Sequence, residues 1–221
     1  MLQLGHVPLA IISTRFPSNS DAMYNQPYSS LRPPPSPESR IGKFLAKSIQ
    51  LKNILGTGAY GVVYAAVDVE TQQWYAVKAL NKVTSTGHAL DERQRGFQIR
   101  EIKLHYEASA HPNIASIHRI VDLPDCTYVI LEYCEDGDLF TNITEYGRFI
   151  GDEPRIKNAF LQILDAVDHC HRLRIYHRDI KPENILVSHN GQRILLADFG
   201  LATRDPISQD HGCGSTFYMS P

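Results

Sequence analysis

Short runs rich in apolar and β-branched residues at 49–55, 62–67 and 74–80, separated by glycine-containing or polar breaks, predict three strands of a meander. A helix-compatible stretch follows at about 91–109, then two more strands at about 114–121 and 127–132. The strongest periodicity lies at 152–172. There Asp152 suits an N-cap, Pro154 suits the first turn, and Ile156, Ala159, Phe160, Ile163, Leu164, Val167 and Cys170 recur at helical spacing, predicting a core-facing amphipathic helix. Two short strands at 185–187 and 193–196 flank a His189-Asn190-Gly191 turn. A small sheet with one helix therefore precedes a helical region, and no internal repeat is visible.

Composition changes near residue 41. Seven of the 13 prolines (Pro8, Pro17, Pro27, Pro33, Pro34, Pro35 and Pro37) fall in the first 40 residues among Ser, Asn and Gln, so residues 1–48 read as a disordered Pro/Ser-rich tail. The run Pro33-Pro34-Pro35-Ser36-Pro37 reads as a polyproline ligand, a proline-directed phosphorylation site at Ser36, or a plain unstructured extension. The formal net charge of −2 removes the argument for a polyanion binder, so no nucleic-acid partner is expected. No stretch reaches the roughly 20 apolar residues needed to cross a bilayer, and no membrane partner is expected. Cys126, Cys134, Cys170 and Cys213 show no Cys-x-x-Cys spacing, which points to a reducing compartment, cytoplasmic or nuclear.

Gly56-Thr57-Gly58-Ala59-Tyr60-Gly61 has a phosphate-cradling spacing that dinucleotide-binding folds share. Here a strand run follows the glycines instead of a helix, so the loop reads as a hairpin tip. That context argues against a nicotinamide-dependent oxidoreductase. Ala76-Val77-Lys78 places a lysine on a strand facing an apolar interior, where an ammonium is costly unless paired, and Glu101 on the 91–109 helix is a candidate partner. His177-Arg178-Asp179-Ile180-Lys181-Pro182-Glu183-Asn184, followed by Asp198-Phe199-Gly200, supplies what phosphoryl transfer from a Mg-nucleotide requires. Asn184 and Asp198 offer oxygen ligands for Mg²⁺, Asp179 can accept a hydroxyl proton, and Lys181 can neutralise the migrating group. His169-Cys170-His171 is not expected to bind zinc, because a helix turns neighbouring side chains in different directions.

With these motifs, residues 49–221 resemble the eukaryotic protein kinase family, and Lys181-Pro182-Glu183-Asn184 resembles its serine/threonine branch. The general run of the sequence is most similar to fungal nutrient- and meiosis-linked kinases. The resemblance implies an α+β, protein-kinase-like two-lobe fold: a small β-sheet N-lobe with the hinge at 49–134, and a helical C-lobe at 135–221 that is incomplete in this chain and ends in the activation segment. It implies ATP and Mg²⁺ as cofactors. Gly56, Gly58 and Gly61 cover the ATP phosphates. Lys78 contacts the α- and β-phosphates and pairs with Glu101; Asp179 is the base; Asn184 and Asp198 hold metal. Leu131 is the implied gatekeeper, and Glu132 and Cys134 are hinge positions presenting backbone groups to adenine. Leu55, Val63, Ala76 and Leu186 sandwich the adenine ring, and Asp138 contacts ribose. An apolar spine runs through His105, Ile117, His177 and Phe199, with His105 in place of the usual Leu or Met and expected to be a packed core histidine.

The resemblance also implies that Arg178 engages a phosphate on the activation loop, with phosphorylated Ser208 or Asp210, beside His211, as the local candidates. Protein substrates follow, with Glu135, Asp136, Asp138 and Glu183 suggesting basic residues upstream of the target Ser or Thr. The competing expectation is a catalytically inactive truncated fragment or scaffold that still binds nucleotide. In such a fragment, the apolar face of the 152–172 helix lacks partners.

Overall fold

The run at 49–68 folds back on itself as a hairpin, β2 (Ile49–Gly58) against β3 (Gly61–Asp68), and continues antiparallel into β4 (Trp74–Asn81). The computed structural model describes residues 33–58, 61–207 and 214–219. These divide into two units. The first holds the described residues up to Asp91 together with His118–Leu131, and the second holds Glu92–Ile117 and the residues from Glu132 on.

The six-stranded sheet of the first unit has the order β1-β2-β3-β4-β6-β5, completed by β1 (Phe44–Leu45), β5 (Ile117–Asp122) and β6 (Cys126–Glu132). Alternate residues of successive strands make its core: Ile49 and Leu51, Tyr64 and Ala66, Val77 and Ala79, then Cys126, Tyr128 and Ile130. This two-residue period is why one face of the sheet is dry.

Order extends further toward the N-terminus than the composition suggests. Residues 37–48, which read as tail, carry a 3₁₀ turn at Glu38–Arg40 and strand β1, paired with β2 through Phe44–Gln50 and Leu45–Ile49. Leu45 and Arg40 are both buried. Contacts distant in sequence order this segment, and a Pro/Ser-rich composition cannot reveal them. The tail up to residue 32 lies outside the described residues.

In the second unit α1 (Glu92–Ala108), α2 (Leu139–Thr144) and α3 (Glu153–Arg172) surround the ribbon β7 (Ile185–Ser188) and β8 (Arg193–Leu196). Asp152 caps α3 as expected, its Oδ1 accepting from the Arg155 amide at 3.0 Å, a contact worth about 1 kcal/mol. The helix stripe divides in a way its periodicity does not foretell. Ala159 and Cys170 are buried and Ile163 and Val167 pack against the core, but Ile156, Phe160 and Leu164 are 48%, 59% and 47% exposed. The β7–β8 turn carries positive φ at His189, Asn190 and Gly191, as a tight hairpin requires. Helix α2 has no counterpart in the sequence reading. It exists because Asp138 caps it and because Asn142, fully buried, donates to the Asp136 and Asp138 carbonyls.

Candidate active site

The first unit holds the glycine hairpin and Lys78. Gly61 has φ +144°, and a Cβ there would lie 2.4 Å from the Ala79 carbonyl oxygen, so packing itself demands glycine. At Gly56 and Gly58 a Cβ would meet nothing within 4 Å. Their missing side chains are therefore not required by the fold, and they leave backbone open to an outside group, which fits a phosphate cradle. Ala59 and Tyr60 at the tip lie outside the described residues. Lys78, half-buried, stands opposite Val63 in the β3–β4 register, and Ala76 is buried two residues before it. Leu55 is exposed and Val63 half-buried, as positions awaiting an apolar ligand face would be.

The second unit holds the candidate catalytic segment. Asp179 Oδ2 lies 3.0 Å from the Lys181 ammonium and accepts from Asn184 Nδ2 at 2.8 Å, and the same Nδ2 is 2.8 Å from the Asp179 carbonyl. Asp179 Oδ1 accepts from the Ser215 hydroxyl at 2.9 Å, and Lys181 donates to that hydroxyl oxygen at 2.7 Å. Burial alone would raise the Asp179 pKa. The hydrogen bonds from Lys181, Ser215 and Asn184 outweigh it and hold the carboxyl below its usual range. The carboxylate is thus ionised and aimed.

Asn184 spends its amide nitrogen on Asp179, which leaves its Oδ1 as the oxygen available to a metal. Asp198, at φ +58°, sits in the left-handed region, and its Oδ1 accepts from the Gly200 amide at 3.4 Å. An amide oxygen and a carboxylate are hard donors that suit Mg²⁺, which takes few protein ligands and completes its shell with phosphate and water. Among the described residues no three His, Cys, Asp or Glu side chains cluster as a metal site.

The floor of this segment is aromatic. His105, buried on α1, stacks on Phe199 with centroids 4.7 Å apart and planes at 14°, and its Nε2 donates to the Ala115 carbonyl at 2.7 Å. His177 meets Phe199 edge-on at 4.8 Å, donates from Nε2 to the Ala197 carbonyl at 2.9 Å and accepts at Nδ1 from the Asp179 amide at 3.3 Å. Both nitrogens of His177 are thereby assigned to the neutral ring, and burial pushes its pKa down. Ile117 is also buried. His105 is a packed core histidine.

The hinge positions fall in the second unit. Glu132 donates its amide to the Ser116 carbonyl at 2.9 Å and pairs its carboxylate with Arg193. Burial pushes the Cys134 thiol up to about 12, so it stays protonated. Leu186 is half-buried on β7 and bridged to Asp138. Glu101 is buried on α1.

The acidic group proposed from sequence to meet basic substrates is largely engaged within the fold. Asp136 pairs with Arg148 at 2.6 Å and accepts from the Gly191 amide at 3.3 Å; Glu135 accepts from the His189 amide at 2.8 Å; Asp138 accepts from the Thr141 amide at 2.7 Å and from its hydroxyl at 3.2 Å. Glu183 is exposed. Arg178 donates from Nε to the Leu201 carbonyl at 2.6 Å, while Ser208, Asp210 and His211 lie outside the described residues. Ser215 is the site residue that sequence reasoning missed. The one available signal was a hydroxyl residue following glycine in the segment after Asp198-Phe199-Gly200. Gly214 brings it in: at φ +98° a Cβ would lie 3.2 Å from the Arg178 carbonyl oxygen.

The Protein kinase domain family pattern matches residues 49–221. Over 186 residues the chain is 50% identical to the Negative regulator of sexual conjugation and meiosis of Schizosaccharomyces pombe, covering 84% of this chain and 38% of that protein. It is 31% identical over 225 residues to Serine/threonine-protein kinase SKS1 of Saccharomyces cerevisiae, covering 80% and 44% of the two. It is 34% identical over 187 residues to CBL-interacting protein kinase 32 of Oryza sativa subsp. japonica, covering 82% and 40%. The chain thus spans well under half the length of these curated relatives.

Proposed function

The chain belongs to the protein kinase domain family, and from that premise we propose that it transfers the γ-phosphoryl group of Mg-ATP to serine or threonine hydroxyls of protein substrates. The observation that carries this reading is the Asp179 carboxylate, held ionised and oriented by Lys181, Asn184 and Ser215. Asp179 accepts the proton of the attacking hydroxyl, and Lys181 offsets the charge of the migrating group. Asn184 and Asp198 hold Mg²⁺, which when bound neutralises phosphate charge. Gly56, Gly58 and Gly61 cover the phosphates, while Lys78, oriented by Glu101, contacts the α- and β-phosphates. Leu55, Val63, Ala76 and Leu186 enclose adenine, the backbones of Glu132 and Cys134 meet its polar edge, and the lone pairs Asp138 has left after capping α2 receive ribose.

Of the four acidic residues suggesting basic substrates, Glu183 is exposed and stands outside the contacts that engage Glu135, Asp136 and Asp138, so a preference for Arg or Lys upstream of the target rests on it. A peptide array on which Glu183→Gln changes nothing removes that preference. Buried thiols at Cys126, Cys134 and Cys170, none of them in a disulfide, support placement in the cytosol or nucleus.

The test is phosphoryl transfer from radiolabelled ATP in Mg²⁺ buffer, read alongside thermal stabilisation by Mg-ATP. Asp179→Asn is expected to lower transfer by about 10²–10⁴-fold and keep the stabilisation. Equal transfer by Asp179→Asn removes the proposed base. Stabilisation of the unaltered chain without transfer favours a nucleotide-binding scaffold.

A further inference from the structure

Arg40 lies in the first unit, with 3% of its surface exposed. Its partners among the described residues are neutral, the Tyr64 hydroxyl included. Nη1 faces Cys126 Sγ at 3.6 Å, Nη2 donates to Asn81 Oδ1 at 2.5 Å, and the guanidinium sits 5.8 Å from the Tyr128 ring centroid. Its Nε is buried with no hydrogen-bond partner among the described residues. A guanidinium keeps its charge in any protein environment, so the pocket holds a cation that has left water without gaining an anion among the described residues.

The turn that delivers Arg40 is small and local. The Ser39 amide donates to the Ser36 carbonyl at 3.1 Å, the Arg40 amide donates to the Pro37 carbonyl at 3.2 Å, and the same Pro37 carbonyl accepts from the Tyr64 hydroxyl at 3.0 Å. Lys43 then donates to the Tyr128 hydroxyl at 3.3 Å, and β1 joins the sheet edge. Residues 37–45 form a strap across the sheet, with Arg40 as its buried pin. Ser36 stands at the head of the strap, exposed and followed by Pro37.

We propose that Ser36 is a phosphorylation site for a proline-directed protein kinase and that its phosphate draws Arg40 out of the sheet, releasing the strap. In the modification, Ser36 Oγ forms a bond to the γ-phosphorus of ATP as the bond from that phosphorus to the β,γ-bridging oxygen breaks. ADP leaves, and the hydroxyl proton passes to the modifying kinase's base and then to solvent. The product places a near-dianion four residues before Arg40, in the same turn. A charge-assisted, two-pronged pair with phosphate is stronger than a thiol and an amide oxygen can supply. Glu38, on the same turn, is repelled by the phosphate and loosens it further.

Cys126 reports the event, because its thiol is fully buried behind the Arg40 guanidinium. The whole chain, in its unaltered and Asp179→Asn forms so that self-modification is distinguished, is treated with ATP and a proline-directed kinase. Site occupancy is read by mass spectrometry, with Ser36→Ala as control. Phosphorylation is expected to raise Cys126 alkylation and amide exchange over 37–45 by about tenfold or more, leaving Cys170 alkylation unchanged. Arg40→Gln is expected to give fast Cys126 alkylation without phosphate and no further rise with it. No phosphate at Ser36, or phosphate there with alkylation and exchange unchanged or slowed, overturns the proposal. Should Arg40→Gln fail to fold, the comparison of phosphorylated chain with Ser36→Ala decides alone.

Discussion

Asp179 is kept ionised by three donors against the opposing pull of burial, so its protonation reports on those donors. Removing the Ser215 hydroxyl takes away one of them and one of the contacts of Lys181. Ser215→Ala is therefore expected to move the acid limb of the kcat/KM profile to higher pH and to lower kcat by roughly 10–100-fold, the size of one charge-assisted hydrogen bond. An unshifted acid limb in a pH–rate measurement shows that the hydroxyl has no part in holding the carboxylate. His177 titrates in a different window. Its folded pKa is depressed by burial below the unfolded value near 6.5, so the stability it contributes is fully present above that pH and is lost as pH falls through the folded value. Melting temperature is accordingly expected to decline from pH 7 toward pH 5, with a shallower decline in His177→Phe. A residual slope remains from His169, whose pKa burial also lowers. Equal slopes in the two proteins rule out His177 as the group responsible.

At the level of elements, the glycine hairpin separates packing from function. Gly61→Ala introduces a contact at 2.4 Å to backbone at a positive φ, and a loss of about 2 kcal/mol or more in unfolding free energy is expected by denaturant titration. Gly58→Ala meets no neighbour, so it is expected to leave stability within about 1 kcal/mol while weakening Mg-ATP binding. The reverse ordering in stability contradicts the packing assignment. This hairpin, β4 and the capped start of α3 were legible in the sequence because their determinants are local: alternation, glycine spacing, and Asp152 three residues from the amide it caps. The strap at 37–45 was not, because Arg40 finds Asn81 and Cys126 at separations of 41 and 86 residues. Ser215 meets Asp179 across 36 residues, and Glu135 meets the His189 amide across 54, so neither the extra site residue nor the spent acidic cluster can be read from spacing.

At the scale of the whole chain, each unit has its own apolar core, and an exposed apolar stripe outside either core lies on α3. Ile156, Phe160 and Leu164 succeed one another at i, i+4 spacing, so they lie in line on one side of the helix, with Leu161 exposed nearby. A continuous apolar surface of this kind drives association in water in proportion to the area it can hide. The 221-residue chain is therefore expected to self-associate with rising concentration and to bind an apolar dye. Because these side chains already face solvent, polar replacements sacrifice little packing. Phe160→Gln with Leu164→Gln is expected to reduce the weight-average mass in sedimentation toward that of a monomer while shifting unfolding free energy by no more than about 1 kcal/mol, twice the usual surface effect. Unchanged association in the double variant places the sticky surface elsewhere. A large loss of stability shows that the two side chains are packed in solution, which their exposure of 59% and 47% argues against.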